Sequence, residues 1–547
     1  MRIVAFNAAH DSSVCSINNG KIEFFCKEER LTRIKRDKNP FKSLELYGSL
    51  NFGKIDHMLY HTPSNDETAT EFFYRNYIRK KFDIEMENYS VLSHHKCHAA
   101  LAYYNSRFKK ALVFVIDRNG SMFFINGESM ARESESVFIC GDDIKPVYKN
   151  FWNLPTQEMN RQYMLDIIKA YYPDCKIKVK SNLGIVKVYE AATTLIGQHP
   201  LENGKTMGLS AYGVSADYFT DRHRLFLEGS PITNKFIHLN NNDQTTCFYK
   251  EESKITKTIT KDNYSHYANK AKLVQVETQK QVGDLIAEYV NSTGINNVCI
   301  VGGYGLNVVA NQYYLETLSK VNFYFEPVAD DTGVSIGAAM LKWKETTKTN
   351  PVAVKDNFYH YYKKEKTPVP GTKATALEVC KLLEDQKSVA IFDGNPEAGP
   401  RALGHRSILF DPRIKNGKHI INKIKNREWY RPFAGAILKN SLYKYFSKLP
   451  IKSSPYMTVN FQCKTPLLLP SIVHKDGTSR IQTVEKGELF KILSLFNKRN
   501  NCPILLNTSF NLAGQPLVHT VDDAINVLKN SKLDAIYFVQ QGKLLKK

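Results

Sequence analysis

His94 and His98 stand four residues apart in Ser93-His94-His95-Lys96-Cys97-His98. On a helix that spacing puts both imidazoles on one face, where they can converge on a single metal ion. Asp331, in the turn Asp330-Asp331-Thr332-Gly333, is the candidate third ligand. Two histidines and one carboxylate with open positions suit Fe(II) or another divalent metal. The same spacing also occurs in partly exposed helical histidines with no such role, so the residues alone leave both readings open.

A second set is Gly302-Gly303-Tyr304-Gly305-Leu306-Asn307, which follows an apolar run. Glycines there let the backbone approach a ligand closely, and a helix N-terminus beyond them favours phosphate. Gly302, Gly303 and Asn307 are therefore candidate nucleotide-binding residues, the alternative being a tight structural turn. The stretch Gly204-Lys205-Thr206 looks like half of a phosphate-binding P-loop, but the required upstream glycine is replaced by His199. A Walker-type NTPase is excluded on that spacing.

The densest chemistry lies near the C-terminus. Glu397–Ser407 (EAGPRALGHRS) sets Arg401 and Arg406 beside a Gly-Pro turn, and Lys425, Arg427 and Arg431 follow within seven residues. Arg480 lies in His474–Arg480, and Ser509 and Asn511 come after the apolar run Pro503–Leu506. Arginine forks bind phosphate bidentately and lysine acts as a point charge. Cations converging with hydroxyl and amide groups suit a nucleotide together with an acyl phosphate. Ion pairing of surface arginines is the plainer alternative.

The elements that must position these groups read as mixed α/β. Strands are expected at Ile3–Phe6 and Val14–Ile17 around a polar turn at His10–Ser13, with Asn19-Gly20 as a hairpin signal before Lys21–Cys26. A second unit runs Ala111–Ile116, turns at Asp117–Gly120 and returns through Ser121–Ile125. Two such units, each with an Asp-containing turn, suggest a duplicated nucleotide-binding core. A helix over Gln279–Val290, a strand at Val298–Val301 and a close-packing helix from Gly333 complete this part. Residues 344–373, rich in Lys, Thr and Pro, read as a linker. A helix over Ala374–Glu384 and a strand at Ser388–Phe392 open the last domain.

The chain has 547 residues, enough for two or three domains, with 42% hydrophobic and 24% charged residues. That composition excludes a mainly disordered chain. No apolar run approaches the ~18 residues of a membrane span, so no membrane partner is expected, nor does the N-terminus resemble a signal peptide. Ten cysteines without a CxxC pair argue against a zinc ribbon or a disulfide framework, and a reducing, cytoplasmic location is expected. The net charge is +21, of which +17 falls in residues 351–547. A basic surface attracts polyanions or small anions, although a solvated lysine-rich face has the same signature.

These motifs together resemble the O-carbamoyltransferase family of the NodU and CmcH type. The resemblance runs through AAHDSS (8–13), EERLTRIK (28–35), SHHKCHAALAYYNS (93–106), GKTMGLSAYG (204–213), GGYGLNVVAN (302–311) and DDTGVSIGAA (330–339). It continues through EAGPRALGHRSILFDPR (397–413), REWYRPFA (427–434), DGTSRIQTV (476–484) and LNTSFNLAGQPLV (506–518). It implies an actin-like ATPase-fold transfer domain over residues 1–345 with a metal site, a linker over 346–373, and a YrdC-like domain over 374–547. In that family the C-terminal domain joins carbamoyl phosphate and ATP, used with Mg2+, into carbamoyl-adenylate. A hydroxyl then attacks the intermediate in the first domain. By the same resemblance His94, His98 and Asp331 match metal ligands. Lys425 and Arg427 match a KxR element with a catalytic role, and Ser509 and Asn511 match an SxN element. Arg401, Arg431 and Arg480 would hold carbamoyl phosphate and nucleotide phosphates. His10 and Asp11 are candidates for the base by position only.

The acceptor is open to two readings. One is a hydroxymethylated base such as 5-hydroxymethylcytosine in nucleic acid, compatible with the basic excess and with 30 Tyr and 30 Phe for base stacking. The other is a small-molecule hydroxyl on an aminoglycoside, a nodulation oligosaccharide or another natural product. A non-catalytic nucleotide-binding scaffold is the third reading, and it has no need of both metal and acyl-phosphate residues. Homo-oligomer formation is left open.

Overall fold

The structure, a computed structural model, describes residues 1–63, 69–90, 93–125, 128–153, 161–180, 184–214, 259–354 and 368–547. The chain divides into two compact units. The first comprises Met1–His61, Ala69–Asn88 and Asp330–Lys547, and the second Thr62–Thr68 and Tyr89–Ala329.

In the first unit, β1 (Arg2–Asn7), β2 (Ser13–Asn18), β3 (Lys21–Lys27), β4 (His57–His61) and β5 (Met86–Asn88) form a sheet in the order β3-β2-β1-β4-β5. The strands β1, β2 and β3 form an antiparallel meander, and β4 and β5 add parallel to β1. Strand β1 is buried on both faces from Ile3 to Asn7, which accounts for its unbroken apolar run. The expected turn at Asn19-Gly20 is present, with φ positive at both residues. The helix Val334–Thr347 packs on β1 and β2 through its buried small residues Gly337, Ala338 and Ala339.

The second unit contains β6 (Ala111–Ile116), β7 (Met122–Ile125), β8 (Glu128–Cys140), β9 (Ile144–Asn153), β10 (Lys176–Lys180), β11 (Asn297–Val301) and β12 (Asn322–Phe325). Their order is β10-β9-β8-β6-β11-β12. Strands β6, β8 and β9 are antiparallel neighbours, and β11 and β12 follow in parallel from β6. The five strands β9-β8-β6-β11-β12 repeat the order and directions of the first sheet, which agrees with the expected duplication.

The return strand differs from the sequence expectation. Strand β7 pairs with β8 and not with β6. The 13-residue β8 is long enough to serve both, with 135–140 facing β6 and 128–132 facing β7. Strands β6 and β7 thus run end to end along one neighbour. The expected helix Gln279–Val290 is the C-terminal part of a longer helix, Tyr264–Thr293.

The C-terminal part of the first unit is a third, mixed sheet. Its strands are β13 (Thr372–Lys373), β14 (Val389–Phe392), β15 (Arg406–Phe410), β16 (Ala434–Leu438), β17 (Asn460–Gln462), β18 (Thr478–Val484), β19 (Ile504–Ser509), β20 (Ala535–Phe538) and β21 (Lys543–Lys546). They are ordered β13-β21-β20-β14-β15-β19-β16-β18-β17. The helix Ala376–Glu384 begins at a Thr375/Glu378 capping box. Of the expected linker, residues 355–367 lie outside the described residues. The Val352 N–H donates to the Gly20 carbonyl at 2.8 Å. No described helix is long and apolar enough to cross a membrane.

Candidate metal and anion sites

In the second unit the helix His94–Ser106 is buried almost all round against β6 and β11. Its first turn presents His94 and His98, whose rings lie 4.9 Å apart at 80°. The carboxylate of Asp117, one residue past β6, approaches His94 Nε2 at 3.5 Å. The donor atoms of His94, His98 and Asp117 all lie within 4.8 Å of one another, and all three residues are buried. Two imidazoles and a carboxylate this close fit a divalent transition metal.

The sequence reading passed over Asp117 as a ligand. The signal was present, since Asp117 opens the polar turn of the second strand unit.

Gly302 and Gly303 bear on this site structurally. Gly302 has φ +86°, and a Cβ there would lie 2.5 Å from the Ile116 carbonyl, so only glycine lets the two strand ends meet. The Gly303 N–H donates to Asp117 Oδ1 at 2.9 Å, orienting the carboxylate. Asn307 caps the helix Val308–Thr317 by accepting from the Ala310 N–H, and it exchanges hydrogen bonds with Gln275.

Beneath the histidine pair, His95 Nδ1 lies 2.8 Å from Ser136 Oγ. The buried Glu133 is bound by Lys149 and Ser136. Burial alone would raise Glu133, but His95 and Lys149 outweigh it and hold the carboxyl at about 2. Burial also pushes His95 down to about 3, so it stays neutral. Gly120 seals this cluster, because a Cβ there would lie 2.5 Å from Glu133 Oε2 and 2.6 Å from His95 Nε2. Gly120→Ala is therefore expected to cost about 1–3 kcal/mol. Urea unfolding should show a lower midpoint with an unchanged slope, and an unshifted midpoint would mean the cluster yields freely.

In the first unit, Asp331 opens the turn before the helix Val334–Thr347 and is buried. His10 Nδ1 lies 3.5 Å from Asp331 Oδ2 and 3.3 Å from Asp11 Oδ2. Lys27 Nζ approaches Asp11 Oδ1 at 2.6 Å. Burial alone would raise Asp11, but Lys27 and His10 hold it well below the usual carboxylate range.

The C-terminal sheet brings the predicted cations together. Lys425, ending the helix Gly417–Lys425, donates to Asn511 Oδ1 and the Asn511 carbonyl at 2.9 Å each and to Ser509 Oγ at 3.2 Å. It also bonds the Ser509 carbonyl. Arg427 donates to Asn422 Oδ1 at 2.7 Å and to the Pro432 carbonyl at 2.8 Å, with its guanidinium 4.2 Å above Phe433. Burial and neighbouring Arg427 and Arg431 push Lys425 well down. Burial and Arg431 push Arg401 down to about 10. Burial with Arg401, Arg427 and Arg431 does the same to Arg480, well below its ordinary value. Partly buried cations that repel one another make a pre-organised place for an anion.

Lys418, which the sequence reading missed, belongs with them, since burial and Arg427 push it down to about 8. Its signal was weak, a lysine among many. Arg406 is different. It spends its donors on the carbonyls of Asp393, Gly394, His405, Val518 and His519 and stacks 3.7 Å from Phe392. It holds the loops and has no donor to spare for substrate.

The chain is thus a mixed α/β protein with two strand modules of one order, a buried His–His–Asp set and a separate cluster of cations. A carbamoyltransferase N-terminus family model matches residues 65–340, and a carbamoyltransferase C-terminus model matches 380–545. The chain belongs to this family and is a carbamoyltransferase. It is 26% identical over 575 residues to nodulation protein NolNO of Sinorhizobium fredii, covering 96% of this chain and 78% of that protein. It is 33% identical over 231 residues to nodulation protein U of the same species, covering 41% of each. Among solved structures, full-length HypF in its phosphate- and nucleotide-bound form matches at TM-score 0.36 and 12% identity, covering 63% of this chain and 56% of that one.

Proposed function

We propose that this carbamoyltransferase is ATP-dependent, forms carbamoyl-adenylate at its C-terminal cation site, and passes the carbamoyl group to a hydroxyl on a hydroxymethylated base in nucleic acid. The observation that carries the first step is the convergence of Arg401, Lys425, Arg427 and Arg480 with Ser509 and Asn511. Carbamoyl phosphate and ATP are both anions, and neither approaches the other until its charge is neutralised. Water takes phosphate from carbamoyl phosphate, the carbamate oxygen attacks the α-phosphorus of Mg-ATP, and pyrophosphate leaves. Lys425 holds the Ser509–Asn511 turn in register with the arginines. Domain limits of 1–345 and 374–547 are part of this reading.

In the second step the acceptor oxygen attacks the carbamoyl carbon and AMP leaves with its bonding pair. His10 receives the hydroxyl proton, and Asp11, fixed by Lys27, orients its ring. His94, His98 and Asp117, with Asp331 added by the family resemblance, would hold a divalent ion, which would supply Lewis acidity toward a carbamoyl or phosphate oxygen. The nucleic-acid acceptor rests on the charge of residues 351–547. The similarity to nodulation proteins favours a second reading, an oligosaccharide or other small-molecule hydroxyl.

The test incubates the protein with ATP, Mg2+, labelled carbamoyl phosphate and Fe(II) or Mn(II). Parallel reactions hold hydroxymethylcytosine DNA, plain DNA and a panel of sugars. Label on hydroxymethylated DNA alone is expected. Pyrophosphate release with label only on a sugar moves the acceptor to small molecules, and no pyrophosphate from folded, metal-loaded protein overturns the adenylate step.

A further inference from the structure

The segment Lys27–Arg33 joins two parts of the first unit that the reaction would use in succession. Lys27 ends β3 and precedes the short helix Glu28–Thr32. Its ammonium is buried and meets three carboxylates: Asp11 at 2.6 Å, Glu29 at 3.6 Å and Asp330 at 3.9 Å. Glu29 in turn bonds Arg30. The buried Arg30 donates to the carbonyls of Glu397 at 3.3 Å and Gly399 at 3.2 Å, in the loop that carries Arg401. Arg33 donates to the Pro516 carbonyl at 3.0 Å and bonds that of Leu517. Those two residues follow the turn that carries Ser509 and Asn511.

Stability is a poor explanation for this arrangement. A buried ion network is often no better for folding than apolar residues of the same size. The residues just before Lys27, namely Phe24, Phe25 and Cys26, are apolar and buried, so an apolar side chain would continue the strand. What an ammonium does here, and a methionine would not, is hold Asp11 beside His10. What a guanidinium does at position 30 is clamp two carbonyls of one loop with one planar group.

We propose that Lys27 and Arg30 are positioning residues that tie the anion-site loop 397–401 to the Asp11–Asp330 cluster, so that carbamoyl-adenylate formed at one is delivered to a correctly set acceptor site at the other. This rests on the two-step reading above. Lys27 acts on the transfer side through Asp11, and Arg30 acts on the adenylate side through the loop. Substituting them should therefore give opposite kinetic splits.

The experiment measures pyrophosphate release and labelled-carbamoyl transfer separately, in full-length protein, together with thermal unfolding. In Lys27→Met, transfer per pyrophosphate should fall by at least about tenfold, since small misplacements of reacting groups carry costs of that size. Pyrophosphate release should stay within about threefold, and Lys27→Arg should recover most of the transfer. In Arg30→Met, the KM for carbamoyl phosphate in the pyrophosphate assay should rise about tenfold, with transfer per pyrophosphate preserved. If Lys27→Met does not unfold cooperatively, Lys27→Gln, which keeps reach and polarity, replaces it. The proposal is overturned if both steps fall in parallel with melting temperature in both variants, if neither step changes, or if Lys27→Arg fails to rescue. A wild-type protein that releases no pyrophosphate defeats the two-step reading itself, which is a different outcome from any of these.

Discussion

His98→Ala should copurify without a stoichiometric divalent metal and lose carbamoyl transfer by about 10³-fold, some 4 kcal/mol of transition-state stabilisation. The size follows from the donor set. His94, His98 and Asp117 supply three donor atoms within 4.8 Å, and removing one imidazole takes away half of the nitrogen donors that hold the ion against water. His98 is fully buried in a tightly packed helix, so the truncation also leaves a small cavity, offset in part by the better helix propensity of alanine. Metal content measured by emission spectroscopy and transfer measured with labelled carbamoyl phosphate check the result. Pyrophosphate release should continue, because the proposed adenylate step uses the cation cluster and not the histidines. One equivalent of metal with full transfer in His98→Ala would remove the histidine pair from the site.

The juxtaposition of His94 and His98 was legible because i, i+4 is a local relation that the helix turns directly into geometry. Asp117 was less so. It comes from the end of a strand, and only the parallel pairing of β6 with β11, residues almost 200 apart in sequence, brings the Gly303 N–H to it. The strand–turn–strand reading at 111–125 placed the turn correctly but not the partner. Alternation and turn residues fix where strands begin and end, whereas pairing is decided by what lies opposite, here the long β8. Asn307 was read as a ligand-binding group on its place after a glycine turn, and its side chain is spent on a helix cap. Arg401 and Arg406 looked equivalent in sequence. Burial against five carbonyls makes Arg406 a scaffold residue, a distinction that requires knowing where the loops 393–394 and 518–519 pass. Three of the five strands of the first sheet were legible, because the β1-β2-β3 meander is local and its hairpin turn carries its own Asn-Gly signature; β4 and β5, which join by parallel pairing from farther along the chain, were not.

Arg480→Met should lower pyrophosphate release by at least about 10²-fold, the usual cost of removing one charged donor from a pre-organised anion site. The same variant should melt no lower than wild type in the absence of ligand. These two effects run in opposite directions for one physical reason. Arg480 stands on β18, and among the described residues the charges acting on it are those of Arg401, Arg427 and Arg431, all of its own sign. Its Nε is buried with no hydrogen-bond partner among the described residues. In the empty site it is therefore a source of repulsion, and methionine keeps the reach and the packing while removing the charge. With substrate bound, the same field is what draws in phosphate and holds it. Lys425→Met makes the contrast, because Lys425 is bonded to Ser509 and Asn511. Its loss leaves buried acceptors unsatisfied, at a cost of about 1–3 kcal/mol. It should lower melting temperature and pyrophosphate release together. Differential scanning calorimetry of both variants beside the pyrophosphate assay separates the two cases. An Arg480→Met protein that is less stable yet fully active would mean that Arg480 serves the fold, and that the anion binds through the remaining cations alone.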